Sequence, residues 1–129
     1  MRGEIWWAAT PGGDRPVLVL TRDPVAERIG AIVVATCTRT VRGVSSELPL
    51  GPDDGLPEAC AASFDNLHTL RRSLFRRRIT RLSPQRMQDA CRILTTALSC
   101  RPPYGGGEMT PVPPDRKGRR AVRLALSGR

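Results

Sequence analysis

Through the first hundred positions the apolar residues fall in short clusters punctuated by glycine, proline and aspartate, which is the pattern of strands joined by turns. Residues 3–8 read as a first strand. Thr10-Pro11-Gly12-Gly13-Asp14, rich in turn formers, follows it. Residues 15–21 make a second strand, and the unbroken Val17-Leu18-Val19-Leu20 run predicts burial on both of its faces. Residues 29–36 form a third of the same kind, and residues 47–50 a short fourth. After the turn-rich Gly51-Pro52-Asp53-Asp54-Gly55 come two more strands, over 59–64 and 76–82. Strands at this spacing predict a mainly β fold, a small barrel or sandwich.

One helix closes this set. Ser83 is suited to cap it, because its hydroxyl can accept from a first-turn N–H, and Pro84 fits the first helical position. Met87, Cys91, Leu94 and Leu98 then recur at helical spacing, which predicts a core-facing stripe.

Composition divides the chain in two. Of 129 residues, the first 100 carry 14 arginines and 10 acidic residues, net +4; residues 101–129 hold six arginines, Lys117, Glu108 and Asp115, net +5. That last segment is rich in proline and contains Gly105-Gly106-Gly107, a composition that favours neither helix nor ladder. The expectation is one domain over 1–100 and a basic, flexible tail over 101–129. The total of +9 makes polyanions, nucleic acid first, the natural partners. No apolar stretch approaches the roughly 18 residues of a membrane span, and the N-terminal residues lack a secretory apolar region. A cytoplasmic protein with no membrane role is expected.

The four cysteines, Cys37, Cys60, Cys91 and Cys100, include no C-x-x-C pair, and His68 is the single histidine. That spacing argues against a metal centre and for buried free thiols. Phosphate-loop, dinucleotide, serine-elbow and zinc-protease motifs are absent. His68, between Leu67 and Thr69, fits a structural role better than that of a catalytic base.

Two small clusters hold more promise. Arg15 opens the second strand, where a rigid element would aim its guanidinium at a phosphate. Cys37-Thr38-Arg39-Thr40 closes the third strand and gathers hydroxyls beside a cation, as phosphate-contacting groups do.

These clusters, in this order, carry a resemblance. Arg2-Gly3-Glu4-Ile5-Trp6-Trp7, then Asp14-Arg15-Pro16-Val17-Leu18-Val19-Leu20, then Val33-Val34-Ala35-Thr36-Cys37-Thr38-Arg39-Thr40 resemble the MazF/PemK family of toxin endoribonucleases. Glu47-Leu48-Pro49-Leu50, Phe64-Asp65-Asn66 and the strand-plus-helix ending over 76–98 extend the likeness across residues 1–100. The resemblance implies a small SH3-like β-barrel of the MazF, CcdB and PemK kind, acting as a homodimer on single-stranded RNA. It also implies cleavage without a metal or other cofactor, leaving a 2′,3′-cyclic phosphate and a 5′-hydroxyl.

Matched by motif, Arg15 and Thr38 would be the catalytic pair, Arg15 supplying charge and a proton for the leaving oxygen and Thr38 binding the phosphate. Arg39, Thr40, Arg42, Asp65 and Asn66 would read bases, which single strands offer on their open edges. Trp6 and Trp7, adjacent in a strand, must face opposite ways. The family further implies a cognate MazE-like antitoxin with an acidic disordered segment. Relatives carry a longer basic loop between the first two strands where this chain has only Pro11-Gly12-Gly13-Asp14. Two other readings compete with the endoribonuclease: a CcdB-type poison of gyrase, and an inert module that binds nucleic acid or a partner.

Overall fold

The computed structural model describes residues 1–23 and 25–100; the proposed tail over 101–129 lies outside the described residues. Six strands form one antiparallel sheet: β1 (Glu4–Thr10), β2 (Gly13–Val19), β3 (Ala31–Thr38), β4 (Glu47–Leu50), β5 (Cys60–Arg71) and β6 (Phe75–Arg81). Their order is β4-β5-β3-β2-β1-β6. A five-residue helix α1 (Val25–Ile29) joins β2 to β3, and α2 (Pro84–Ala97) follows β6. Among the described residues no helix is long and apolar enough to cross a membrane.

Sheet curvature lets both faces bury apolar side chains. Ile5, Leu18, Ala35, Leu48, Ala62 and Phe64 line the concave side and are covered by Ala90 of α2, with Met87, Ile93 and Leu94 packed beside them. Val17, Val19, Ile32, Val34 and Leu70 form a second cluster with Ala26 of α1, and Trp6 and Phe75 border it. The unbroken apolar run in β2 is the consequence: alternate residues feed different cores, and all four from Val17 to Leu20 are buried.

Several boundaries differ from the sequence expectation, each for a local reason. The β3 region begins later because residues 25–29 spend one turn as helix, with Arg28 in its last turn. Strand β5 runs twice as far as expected. The expected end at residue 64 coincides with a shift in register: Thr36 stands opposite Ser63 while Ala35 stands opposite Leu67. A bulge therefore absorbs residues 64–66 and the ladder resumes. On α2, Ser83 caps as expected, its Oγ accepting from Arg86 N at 3.2 Å. The apolar face is rotated, however, so Ala90 is buried and Leu98, at the helix end, is 53% exposed. Cys37 and Cys60 are buried free thiols, whereas Cys91 is only partly covered and Cys100 is exposed.

The two ends of the sheet, β4 and β6, are joined by a short bridge instead of a ladder. A 3-10 turn over Pro52–Asp54 places Asp54 between them. Its backbone oxygen accepts from Thr80 Oγ1 at 3.1 Å, its Oδ2 accepts from Gly51 N at 3.1 Å, and its Oδ1 accepts from Arg86 Nε at 3.0 Å. Arg86 also donates to the Pro49 carbonyl of β4 and to Asp89 of its own helix, tying α2 to the β4 side of the seam. The Asp54 contact holds the Arg86 guanidinium above its ordinary pKa.

Gly55 closes this turn at φ +91°, and a β-carbon there would lie 2.2 Å from Thr80 Oγ1. Gly55→Ala combines a disfavoured backbone with a direct overlap. Thermal unfolding should show a loss of at least about 2 kcal/mol; wild-type stability would refute the seam as drawn here.

Candidate RNA-binding cleft

At the rim of the curled sheet lies a cleft of about 370 Å3. Its walls come from distant parts of the chain: Trp7 from β1, Arg15 and Pro16 from β2, Cys37, Thr38 and Arg39 from the end of β3, residues 56–60, and Arg77 and Ile79 from β6. The structure thus brings together Arg15 and Thr38, 23 positions apart in sequence, because β2 and β3 are neighbours in the sheet.

Arg15 owes its setting to the hairpin. Thr10 pairs with Gly13, leaving Pro11-Gly12 as a two-residue connection, and Thr10 Oγ1 donates to Gly13 O at 2.6 Å. The bare Cα of Gly12 faces the Arg15 guanidinium, and a β-carbon there would stand 3.4 Å from Nε. Among the described residues, Arg15 has no carboxylate within salt-bridge distance, whereas Arg39 meets Glu58 at 3.7 Å between two exposed side chains. A guanidinium presented in this way has its forked donors open to an anion.

Thr38 is oriented by its own loop. Its Oγ1 accepts from Thr40 N at 3.1 Å, so the hydroxyl proton stays free to donate. The Cys37 and Cys60 thiols, which both line the cleft, interact with one another. That interaction, with burial, pushes the Cys37 pKa well up, and it holds Cys60 below the usual thiol value. Among the described residues no cluster of histidine, cysteine and carboxylate side chains could hold a metal ion.

The other sequence candidates sit elsewhere. Thr40, Arg42, Asp65 and Asn66 are not part of the cleft wall. Arg42 N and Gly43 N donate to the buried Glu47 Oε1 at 2.9 and 3.1 Å. Asp65 accepts from Ser46 Oγ at 2.5 Å, and Asn66 O accepts from Thr36 Oγ1 at 3.4 Å. The bonds to Glu47 and Asp65 brace the 39–46 connection that carries Thr38's neighbours, and the Asn66 bond ties β5 to β3. His68 stands opposite Val34 on β5 and does not line the cleft either. Sequence reasoning had not put Arg77, Ile79 or Glu58 together with Arg15. The arginine run over 76–78 was visible, yet only the β1–β6 register, Trp7 opposite Arg77, decides which of the three turns inward.

Comparison with known proteins identifies the family. Residues 1–98 match the family model for the PemK-like, MazF-like toxin of type II toxin-antitoxin systems. The chain belongs to that toxin family. It is 62% identical over 100 residues to the "Probable endoribonuclease MazF2" of Mycobacterium tuberculosis, covering 77% of this chain and 98% of that protein. "Probable endoribonuclease MazF5" of the same organism is 38% identical over 101 residues, covering 77% and 93%. Among solved structures, the "Mycobacterium tuberculosis toxin MazF-mt6" superposes with a TM-score of 0.72 at 30% identity, covering 76% of this chain and 98% of that one. The matched region is the folded body just described, and within it the MazF-like toxin fold supplies the curled sheet and the C-terminal helix.

Asp65 in this toxin is thus bonded as a brace. Asp65→Ala should leave Ser46 Oγ without its acceptor and cost about 1 to 2 kcal/mol. Hydrogen exchange should quicken over residues 40–46; unchanged protection there would show that the bond carries no load.

Proposed function

We propose that this toxin is an endoribonuclease that cuts single-stranded RNA by internal transesterification, with Arg15 and Thr38 acting on the scissile phosphate. The observation that carries the reading is their juxtaposition: a guanidinium with no carboxylate partner and a hydroxyl that retains its donor in one open cleft. The relatives named as endoribonucleases point the same way.

RNA brings its own nucleophile. The 2′-hydroxyl attacks phosphorus, the bond to the 5′-oxygen breaks, and the products are a 2′,3′-cyclic phosphate and a 5′-hydroxyl. One proton leaves the 2′-oxygen and one reaches the 5′-oxygen, so no water is consumed. The protein's task is alignment and charge stabilisation. Arg15 faces the negative charge that builds on the phosphoryl oxygens, and Thr38 donates to one of them. Arg39, loosely held by Glu58, is free to swing to a neighbouring phosphate or base. The chemistry needs neither a metal nor a histidine.

As a member of a toxin-antitoxin family the protein acts as a homodimer in the cytoplasm, and an acidic segment of a cognate antitoxin covers the arginine-lined cleft. Charge complementarity supports that mode of inhibition.

Purified protein should cut single-stranded RNA in EDTA, leaving ends that resist ligation until the cyclic phosphate is removed. Arg15→Ala should lower the rate by about 100- to 1,000-fold with an unchanged melting temperature. Full activity in that variant would exclude the mechanism. Intact RNA beside inhibited gyrase supercoiling would favour a CcdB-type action.

A further inference from the structure

The two adjacent tryptophans have different fates. Trp6 is spent on the fold: its Nε1 donates to Glu4 Oε1 at 2.9 Å, and its ring meets Phe75 edge-on with centroids 5.9 Å apart. Trp7 faces the other way, into the cleft, half-buried. Among the described residues its Nε1 donates to no side chain or carbonyl, and it is not sealed from solvent. An indole N–H usually finds a partner when it is covered, so this one is available to whatever fills the cleft.

Its surroundings suit one kind of occupant. Trp7 stands opposite Pro16 in the β1–β2 ladder, the residue after Arg15, so its ring is beside the phosphate-binding group. On its other side it stands opposite Arg77. The flanking arginines are occupied, Arg76 with Asp14 at 3.4 Å and Arg78 with Glu4 at 3.5 Å, whereas among the described residues Arg77 has no carboxylate within salt-bridge distance. An aromatic face with a free donor edge, flanked by two unneutralised guanidiniums, fits a nucleotide: a base to stack, an acceptor on its edge, and phosphates on both sides.

We propose that Trp7 and Arg77 form the base-binding subsite next to the scissile phosphate. One base of single-stranded RNA stacks on the Trp7 indole, Nε1–H donates to an acceptor on that base, and Arg77 holds the adjoining phosphate. Stacking accepts any base, whereas the single N–H selects for an acceptor at one edge position; the indole therefore contributes both affinity and a part of the cleavage motif. This inference rests on the endoribonuclease reading and extends it to specificity.

The test begins by sequencing the cut ends of RNA treated with wild-type protein, which yields the motif. A labelled oligonucleotide of that motif, with 2′-deoxyribose at the nucleotide 5′ to the cut, then reports binding without cleavage. Trp7→Ala should weaken its binding about tenfold or more and raise KM more than it lowers kcat. Trp7→Phe, which keeps a stacking face and loses the donor, should bind within a few fold of wild type but relax the motif at one position. Arg77→Ala should reduce the slope of log affinity against log salt by about 1. Trp6→Phe, on the opposite face, should leave both motif and affinity unchanged.

Wild-type affinity and motif in both Trp7 variants would overturn the subsite while leaving the enzyme intact. A Trp7→Ala protein that loses its dimer in sedimentation yet binds RNA normally would overturn it too, assigning the ring to the partner subunit. Failure of the wild type to cut any RNA would instead remove the reading on which the subsite rests.

Discussion

The Asp54 turn is the constraint on which the molecule depends. An antiparallel sheet of six strands that does not close by a ladder leaves two edges, and exposed edges invite pairing with other chains. Here the edges meet through one residue. Asp54 offers its backbone oxygen to β6, its carboxylate to Arg86 of α2, and its second carboxylate oxygen to its own turn. Because a charged donor meets a charged acceptor that is largely shielded from water, these bonds are stronger than ordinary surface pairs. Gly55 permits the approach, since only a residue without a β-carbon fits against Thr80.

The seam reaches the cleft directly. The segment after Gly55, residues 56–60, is one wall; Arg77 and Ile79, from the strand the seam anchors, belong to the opposite one. Loss of the seam would therefore spread the cleft, not merely lower stability. The floor is set differently. Arg15 and Thr38 stand on adjacent strands whose register is held by the buried Val17, Leu18 and Val19 rows, so two cores fix their separation. The 39–46 connection, which has no regular secondary structure, is pinned at its base by buried Glu47 and by the Asp65 bulge. Rigid walls and a braced loop are what positioning chemistry requires.

Much of this was legible in the sequence where the signal is local. Turn residues separated the strands, Ser83-Pro84 announced the helix, and the four-residue apolar run in β2 announced burial on both faces. The motif order from Arg15 to Thr38 was enough to suggest the family. Less local features were misjudged. The strand expected over 59–64 continues to Arg71 because a bulge depends on what the opposite strand offers. Leu98 read as core because a stripe of spacing 3 and 4 says nothing about where the partner surface stops. The bonds that Asp65 accepts from Ser46 and that the Arg42 backbone N–H gives to Glu47 were not legible at all, because their partners are fixed by the fold.

By itself the sequence determined that strands dominate and one helix follows them, the cap of α2, the family, and that Trp6 and Trp7 must part company, since alternation along a strand is built into its backbone. Which tryptophan enters the cleft, which of three arginines joins it, and that Asp54 ties the sheet's two ends were decided only by tertiary structure. Those outcomes depend on register and curvature, which emerge from packing between residues dozens of positions apart; no local window of the chain contains them.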